Sequence, residues 1–451
     1  MSGRRLLTLV IVLAAIGIPA GLLQAACVGR SCDAGPTAPA RIPFCPLPDT
    51  LKALIVNGYR EGRSPDVLGV VRDAVIATRP DPSDPELLVS WPSLNATDAR
   101  VPIAFSGLGI ATGASVPDGT TLDAVAPTVA AALGFERPFP DVRSGSAIEA
   151  AVTGGESPTL VLLVAWKGVG TVDLEAARGD WPFLRSMLER GAGTLEGSTG
   201  SLPLDAAATL TTIGTGGLPS QHGITGSFVR SDAGEVLAAF QAQAPVPVIA
   251  TLADDLDAPD TAGVTSPYRQ RPEVSIVETS DRDRGLIGGD WYERHDADTI
   301  VTARGSDAIS SARAILESTP DDGVPDVLGV VLDGSVASMD RRTAELVRFA
   351  ERTTHGRTTV ALAGTGTSEG GMTTMPDGSL VSAVEDAVPG SRPAVAATVG
   401  GGMFLNQAAL TQAKVTGQVA VDALLGVTDP EGREMMADAF QGFAVSFARY
   451  C

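Results

Sequence analysis

Thr215-Gly-Gly-Leu-Pro-Ser-Gln-His-Gly-Ile-Thr-Gly226 is the run from which the fold of this chain is read. It follows a helix candidate, Asp205 to Ile213, and it holds His222, one of three histidines in 451 residues; His295 and His355 are the others. Outward from it in both directions, apolar β-rich runs alternate with helix-like stretches, the pattern of an α/β domain with a largely parallel sheet. Strands are predicted at Asp66 to Val71, Pro102 to Ser106, Thr159 to Ala165, Asp326 to Leu332 and Thr358 to Ala363. Helices are predicted at Asp123 to Leu133, Trp181 to Glu189, Asp205 to Ile213, Ser306 to Glu317, Arg341 to Glu351 and Gln412 to Leu425. Pro-Asp-Val-Leu-Gly-Val-Val occurs twice, at Pro65 to Val71 and Pro325 to Val331, and reads as two similar buried strands rather than a true repeat.

The composition, 44% hydrophobic with scattered Gly and Pro, is that of a globular protein long enough for one large domain or two medium ones. The formal net charge is −20 and the only lysines are Lys52, Lys167 and Lys414. No basic stripe emerges, which argues against nucleic acid and anionic lipid headgroups as partners. Residues 1–26 read as an export device: Arg4 and Arg5 precede an apolar run from Leu6 to Leu23. Cleavage after Ala25 or Ala26 makes it a signal peptide; left uncut, the run is just long enough for a membrane anchor. Cys27, after two alanines, also admits lipid attachment, although Gln24 stands where such signals normally have leucine.

A Cys-, Pro- and Gly-rich tether spans 27–48. Cys27, Cys32, Cys45 and Cys451 suit an oxidising compartment and allow three pairings if all are bridged. A bridge from Cys45 or Cys32 to Cys451 requires the two ends of the mature chain to lie together.

The run Thr215 to Gly226 resembles the signature that follows the nucleophile in the alkaline phosphatase superfamily, in its nucleotide pyrophosphatase and phosphodiesterase branch. The resemblance implies a three-layer domain, here 49–451, and a reaction that splits phosphate esters with two divalent metals such as zinc. Its segments come in an unusual order. Arg100 to Ile110 with Thr121 to Gly134, which carries Ala126-Pro-Thr128, resembles the C-terminal part of the family domain, yet 49–150 comes first. The part resembling the family's start and middle, 159–402, follows, with a cap-like insertion expected at about 227–298. The expectation is a circular permutation, joined through roughly Ser146 to Pro158, with a terminal disulfide restoring chain continuity.

Position by position, the resemblance implies that the reaction centre is missing. Leu163-Val-Ala-Trp-Lys-Gly168 puts Lys167 where the family has a metal-binding aspartate, and a cation does not ligate a metal. The nucleophile position, nine residues before Thr215, is Ala206. The Asp-x-x-x-His ligand pair falls on Asp333 and Ala337, the Asp-His pair on Thr365 and Gly366, and the last ligand histidine near Trp91. These seven positions define a vestigial pocket. Around them, Asp205 reads as a helix N-cap, and Thr209, Thr211 and Thr212 as hydroxyls bonded to their own helix. His222 takes the family's structural role, and His355 reads as a helix C-terminal residue. Lys167 is expected to reach solvent, with anion binding as the alternative.

The function expected is that of an exported, non-catalytic domain that binds an envelope protein partner, or a ligand in the vestigial cleft, without a cofactor. One alternative is a working phosphodiesterase or pyrophosphatase whose metal site has moved to carboxylates and His295. Another is a purely structural envelope component. Neither a Gly-x-Ser-x-Gly elbow, a phosphate loop, a dinucleotide fingerprint nor a Cys-x-x-Cys pair competes.

Overall fold

The strands Leu160–Trp166, Asp326–Leu332 and Thr358–Gly364 are buried along their whole length and lie side by side. Unbroken apolar runs are what a parallel strand covered on both faces requires. In register, Leu163 sits between Gly329 on one side and Ala361 on the other. The computed structural model describes residues 42–72, 75–81, 84–94, 99–241, 243–256, 272–287, 297–318, 324–366, 373–376, 378–429 and 431–451, and Pro43–Cys451 forms one unit.

The central sheet has eight strands, in the order Thr299–Thr302, Val274–Glu278, Asp326–Leu332, Leu160–Trp166, Thr358–Gly364, Arg100–Gly107, Ala192–Ser198, Ala114–Ser115. Of these, Arg100–Gly107 alone runs against the rest. Side chains alternate between its two faces. Val161, Leu163 and Ala165 pack with the helices Val125–Ala132, Ala206–Thr215 and Leu252–Leu256. Leu160, Leu162, Val164 and Trp166 pack with Pro182–Arg190, Ser306–Ser318 and Val336–Thr353. The result is a mixed α/β fold with a mostly parallel sheet between two helical layers.

Two expectations change. The stretch 412–425 is two helices, Gln407–Ala413 and Gln418–Leu425, because Lys414 adopts a left-handed conformation at φ 58° and stops the first. The stretch read as a cap-like insertion is partly sheet: Val274–Glu278, buried at all five residues, pairs between Thr299–Thr302 and Asp326–Leu332. Its apolar run inserts where both neighbours offer parallel edges. Within the described residues, the rest of that stretch includes a small hairpin, Phe228–Arg230 with Val236–Ala238.

A second sheet brings the chain's distant parts together. Its order is Val395–Val399, Gly402–Leu405, Val67–Val71, Met436–Gln441. The twin Pro-Asp-Val-Leu-Gly-Val-Val strings are therefore buried strands of different sheets. Beside the second sheet, Phe44 meets Phe440 edge to face, its backbone N–H donates to Asp438 Oδ2 at 2.8 Å, and Cys45 is bonded to Cys451. Cys27, Cys32 and residues 1–26, read from sequence as an export device, lie outside the described residues. Among the described residues, no helix is long and apolar enough to cross a membrane.

That bridge closes a loop spanning 406 positions, and a disulfide that constrains the unfolded chain typically stabilises by about 2–4 kcal/mol. Cys451→Ser is expected to lower the urea midpoint accordingly. An unchanged midpoint would show that the sheet alone holds the ends.

Candidate functional site

Adjacent parallel strands end at one edge of the central sheet, and the residues that follow them are polar. Thr279 follows Glu278, Asp333 follows Leu332, Lys167 follows Trp166, and Thr365 follows Gly364. The carboxyl edge of a parallel sheet is where α/β proteins hold their ligands. Four candidates from the sequence, Lys167, Asp333, Thr365 and Gly366, thus share this edge. Backbone bonds knit it: Lys167 N–H donates to Leu332 O (2.9 Å), Thr365 N–H to Trp166 O (3.2 Å), and Gly366 N–H to Val169 O (3.0 Å). The Thr365 hydroxyl oxygen accepts from Gly168 N–H at 2.8 Å.

Lys167 does not reach solvent, contrary to the expectation above. Its side chain is 1% exposed; the ammonium donates to Asp283 Oδ1 at 3.0 Å and to Thr279 Oγ1 at 3.1 Å. The other Asp283 oxygen accepts from the Thr279 N–H (2.9 Å), the Thr279 hydroxyl (2.6 Å) and the Ser280 N–H (3.2 Å). A carboxylate bonded this fully can hold its charge in the interior, where an unpaired charge is prohibitive.

Asp283 is the functional-edge residue that sequence reasoning missed. It sits in a 3-10 turn, Asp281–Leu286, pressed against the helix Ala206–Thr215. The approach is so close that a Cβ on Gly285 would stand 1.9 Å from Thr211 Oγ1, and one on Gly214 would stand 2.4 Å from the Gly285 carbonyl oxygen. Only glycine fits at either place. The turn lies in the Asp283-Arg-Gly-Leu run, whose sequence signals a loop but not the lysine it answers, 116 positions away.

Ala206 opens the helix Ala206–Thr215, every residue of which is buried. Its methyl group belongs to the cluster that includes Ala165 and Ala363 on the sheet. Asp205 caps the helix, accepting from Ala207 N–H and from the Ser227 hydroxyl, both at 3.0 Å. Thr209, Thr211 and Thr212 all donate back to carbonyls of their own helix or its cap, as expected of threonines inside a helix.

His222 is wholly buried. Its Nδ1 accepts from Ile224 N–H at 3.1 Å, so the proton sits on Nε2, which donates to Thr212 Oγ1 at 3.1 Å. Burial, followed by the positive charge of Arg60, pushes its pKa down to about 3. His355 lies two residues past the helix Val336–Thr353, at φ 55°.

The remaining candidates do not join this edge. Trp91, 1% exposed, packs under the second sheet with Val67, Val71, Met403 and Met436; a Cβ on Gly69 would be 2.7 Å from its ring. Ala337 sits in the first turn of Val336–Thr353 and lines an outer groove of about 460 Å³ with Phe183, Asp340, Arg341 and Arg348. Asp333, which does belong to the edge, is part-exposed, its carboxylate 3.9 Å from Arg304 Nε. Among the described residues, Trp91 and Ala337 therefore lie apart from the four at the sheet edge. Where the cleft was expected, Lys167, Ala206 and Thr365 are buried under the turn or against the sheet.

A second buried charge cluster buttresses the helix Ala206–Thr215 from its far end. Arg137 and Arg143 both pair with Asp255, at 2.8 and 3.0 Å, and both donate to the Thr215 carbonyl. Burial holds the Asp255 carboxyl above its usual range against the pull of the two guanidinium groups, and brings Arg137 down to about 10.

Among the described residues, the donors at the sheet edge do not fit a divalent cation. An ammonium already paired with Asp283, the Glu278 carboxylate paired with Arg284, a threonine hydroxyl and one part-exposed aspartate offer too little free negative charge. Among the described residues no three His, Cys, Asp or Glu side chains gather as a metal site, and His295 lies outside those residues. Compared with family models, curated proteins and solved structures, the chain gives no match.

Proposed function

We propose that this protein is an exported, circularly permuted relative of the alkaline phosphatases that has lost both metals and the nucleophile, and that it acts by binding an envelope protein partner. One observation carries the reading: the buried Lys167–Asp283 pair stands at the strand end where the resemblance calls for a metal-binding aspartate. Ala206 at the start of the following helix adds that no hydroxyl stands in the attacking position. A protein partner is favoured over a small ligand because Lys167, at the strand end where the cleft was expected, is already buried against Asp283 of the turn Asp281–Leu286.

Packing supports the permuted order. The stretch resembling the family's C-terminal part abuts the signature: Gly145 N–H donates to Gly216 O at 3.0 Å, and Arg137 reaches Thr215 O at 2.8 Å. Both ends of the unit meet at the second sheet, as a permuted chain with a terminal bridge needs. Export follows from residues 1–26.

The test is turnover of bis(p-nitrophenyl) phosphate by the purified full chain with zinc, manganese or magnesium added. No hydrolysis above the metal blank is expected. Hydrolysis that a chelator abolishes would replace the binding reading with a phosphodiesterase whose metal site lies elsewhere, His295 being its first candidate ligand.

A further inference from the structure

A cavity of about 270 Å³ opens beside the second sheet, lined by Tyr59, Asp66, Arg230, Gln407, Gln441 and Phe443 among others. These residues come from the end of the helix Asp49–Gly58, the start of Val67–Val71, the small hairpin, the helix Gln407–Ala413 and the chain leaving Met436–Gln441. Its two charged residues are spent on each other: Arg230 donates to Asp66 through one terminal nitrogen and to the Gly234 carbonyl, at 2.9 Å, through the other.

What remains is neutral and able to hydrogen-bond. The Tyr59 ring is set in place by the backbone, since a Cβ on Gly442 would stand 2.9 Å from its edge. Among the described residues its hydroxyl has no hydrogen-bond partner, although such hydroxyls normally find one when the ring is tucked in. Burial, followed by the charges of Glu61 and Asp66, pushes its pKa up to about 12, so it stays a donor. Gln407 Nε2 reaches Asp66 Oδ1 at 3.5 Å, the long limit of a hydrogen bond, and Gln441 Nε2 donates to Gln418 Oε1 at 3.2 Å, so both amides keep further capacity. Phe443, 53% exposed, supplies an apolar ring face beside these groups.

The lining selects the ligand by chemistry. A carboxylate or an ammonium would have to compete with the Asp66–Arg230 pair. An apolar molecule would strip water from the phenol and the amides and return no hydrogen bonds. A neutral ring with several hydroxyls meets both conditions, because each hydroxyl donates and accepts while the C–H face of the ring lies against an aromatic side chain. The volume, just under the roughly 300 Å³ at which sites for drug-sized molecules begin, suits one such ring.

We propose that this cavity binds a neutral sugar ring, held by Tyr59, Asp66, Gln407 and Gln441 and covered on one face by Phe443. The source is a free monosaccharide or the end of a glycan chain. No lining residue belongs to the central-sheet edge, so this site stands or falls apart from the partner-binding reading above.

The test is saturation-transfer NMR on the purified full chain in sugar-free buffer, with millimolar methyl glycosides of glucose, galactose, mannose and N-acetylglucosamine, and with benzoate and benzylamine as charged rings. Expected is transfer to at least one glycoside. Tyr59→Phe, which removes a hydroxyl that bonds to nothing in the described chain, should weaken it about two- to tenfold at an unchanged urea midpoint. Gly417→Leu, whose Cβ would stand 3.2 Å from Gln441 Oε1, should abolish it by filling the cavity. The linear trisaccharide of whichever sugar binds then separates the sources: retained transfer means a glycan end, lost transfer a free sugar, and both uphold the site. No transfer to any glycoside, transfer that Tyr59→Phe leaves unchanged, or preference for benzoate or benzylamine would overturn it.

Discussion

Lys167→Met is expected to destabilise the protein by about 3–5 kcal/mol, because it leaves the Asp283 carboxylate charged and buried without its cation. Against a total of roughly 5–15 kcal/mol for a folded domain, that is a large share. A lysine directed to solvent would give a change within about 0.5 kcal/mol, so urea unfolding separates the two arrangements. The rescue is specific. Adding Asp283→Asn to Lys167→Met removes the orphaned charge and keeps an amide oxygen to accept from the Thr279 and Ser280 N–H groups, so the double variant should regain much of the lost stability. If Lys167→Met alone were neutral, or if Asp283→Asn made it worse, the ion pair would not be the feature that closes this edge.

Acid should destabilise the protein through His222. The sign follows from which state takes up the proton. With a folded pKa of about 3 against an ordinary 6.5, the unfolded chain binds a proton below pH 6.5 and the folded chain does not until about pH 3. Stability contributed by the neutral, buried ring is complete above pH 6.5 and is lost as pH falls, by about 2 kcal/mol at pH 5 and about 4 kcal/mol near pH 3. Geometry gives the same direction: protonating Nδ1 would set two N–H donors against each other, because Ile224 already donates to it. Urea midpoints across this window should therefore fall more steeply for the native chain than for His222→Gln. Equal slopes would mean that the ring is protonated in the folded state or open to water. Nitrogen chemical shifts of His222 at pH 5 give the same answer without a substitution, and a neutral ring is expected.

The strands of the sheet were legible where burial demands an unbroken apolar run, as in Asp326–Leu332 and Leu160–Trp166. Helix Ala206–Thr215 was legible from its cap and its small residues, and so were the roles of Asp205 and the threonines. What failed was anything set by contact across the chain. Val274–Glu278 is a sheet strand only because two parallel edges receive it, and nothing local distinguishes it from a strand in an insertion. Lys167 was misjudged because exposure is the ordinary state of a lone lysine, and its counter-charge comes from a turn 116 positions away, placed there by Gly285 and Gly214. Trp91 and Ala337 were grouped with the edge by spacing along the chain, whereas packing sends one beneath the second sheet and the other to an outer groove. The sheet-edge quartet came through because strand ends are fixed by the same apolar runs that make the strands.

The decisive measurement is anomalous X-ray scattering at the zinc edge from crystals of the protein soaked in zinc, read at the ends of the strands Leu160–Trp166, Asp326–Leu332 and Thr358–Gly364. No zinc peak is expected there, with the Lys167 ammonium within hydrogen-bonding distance of Asp283. A pair of zinc ions at that edge, with Lys167 displaced and a hydroxyl beside them, would contradict the assignment of a non-catalytic domain.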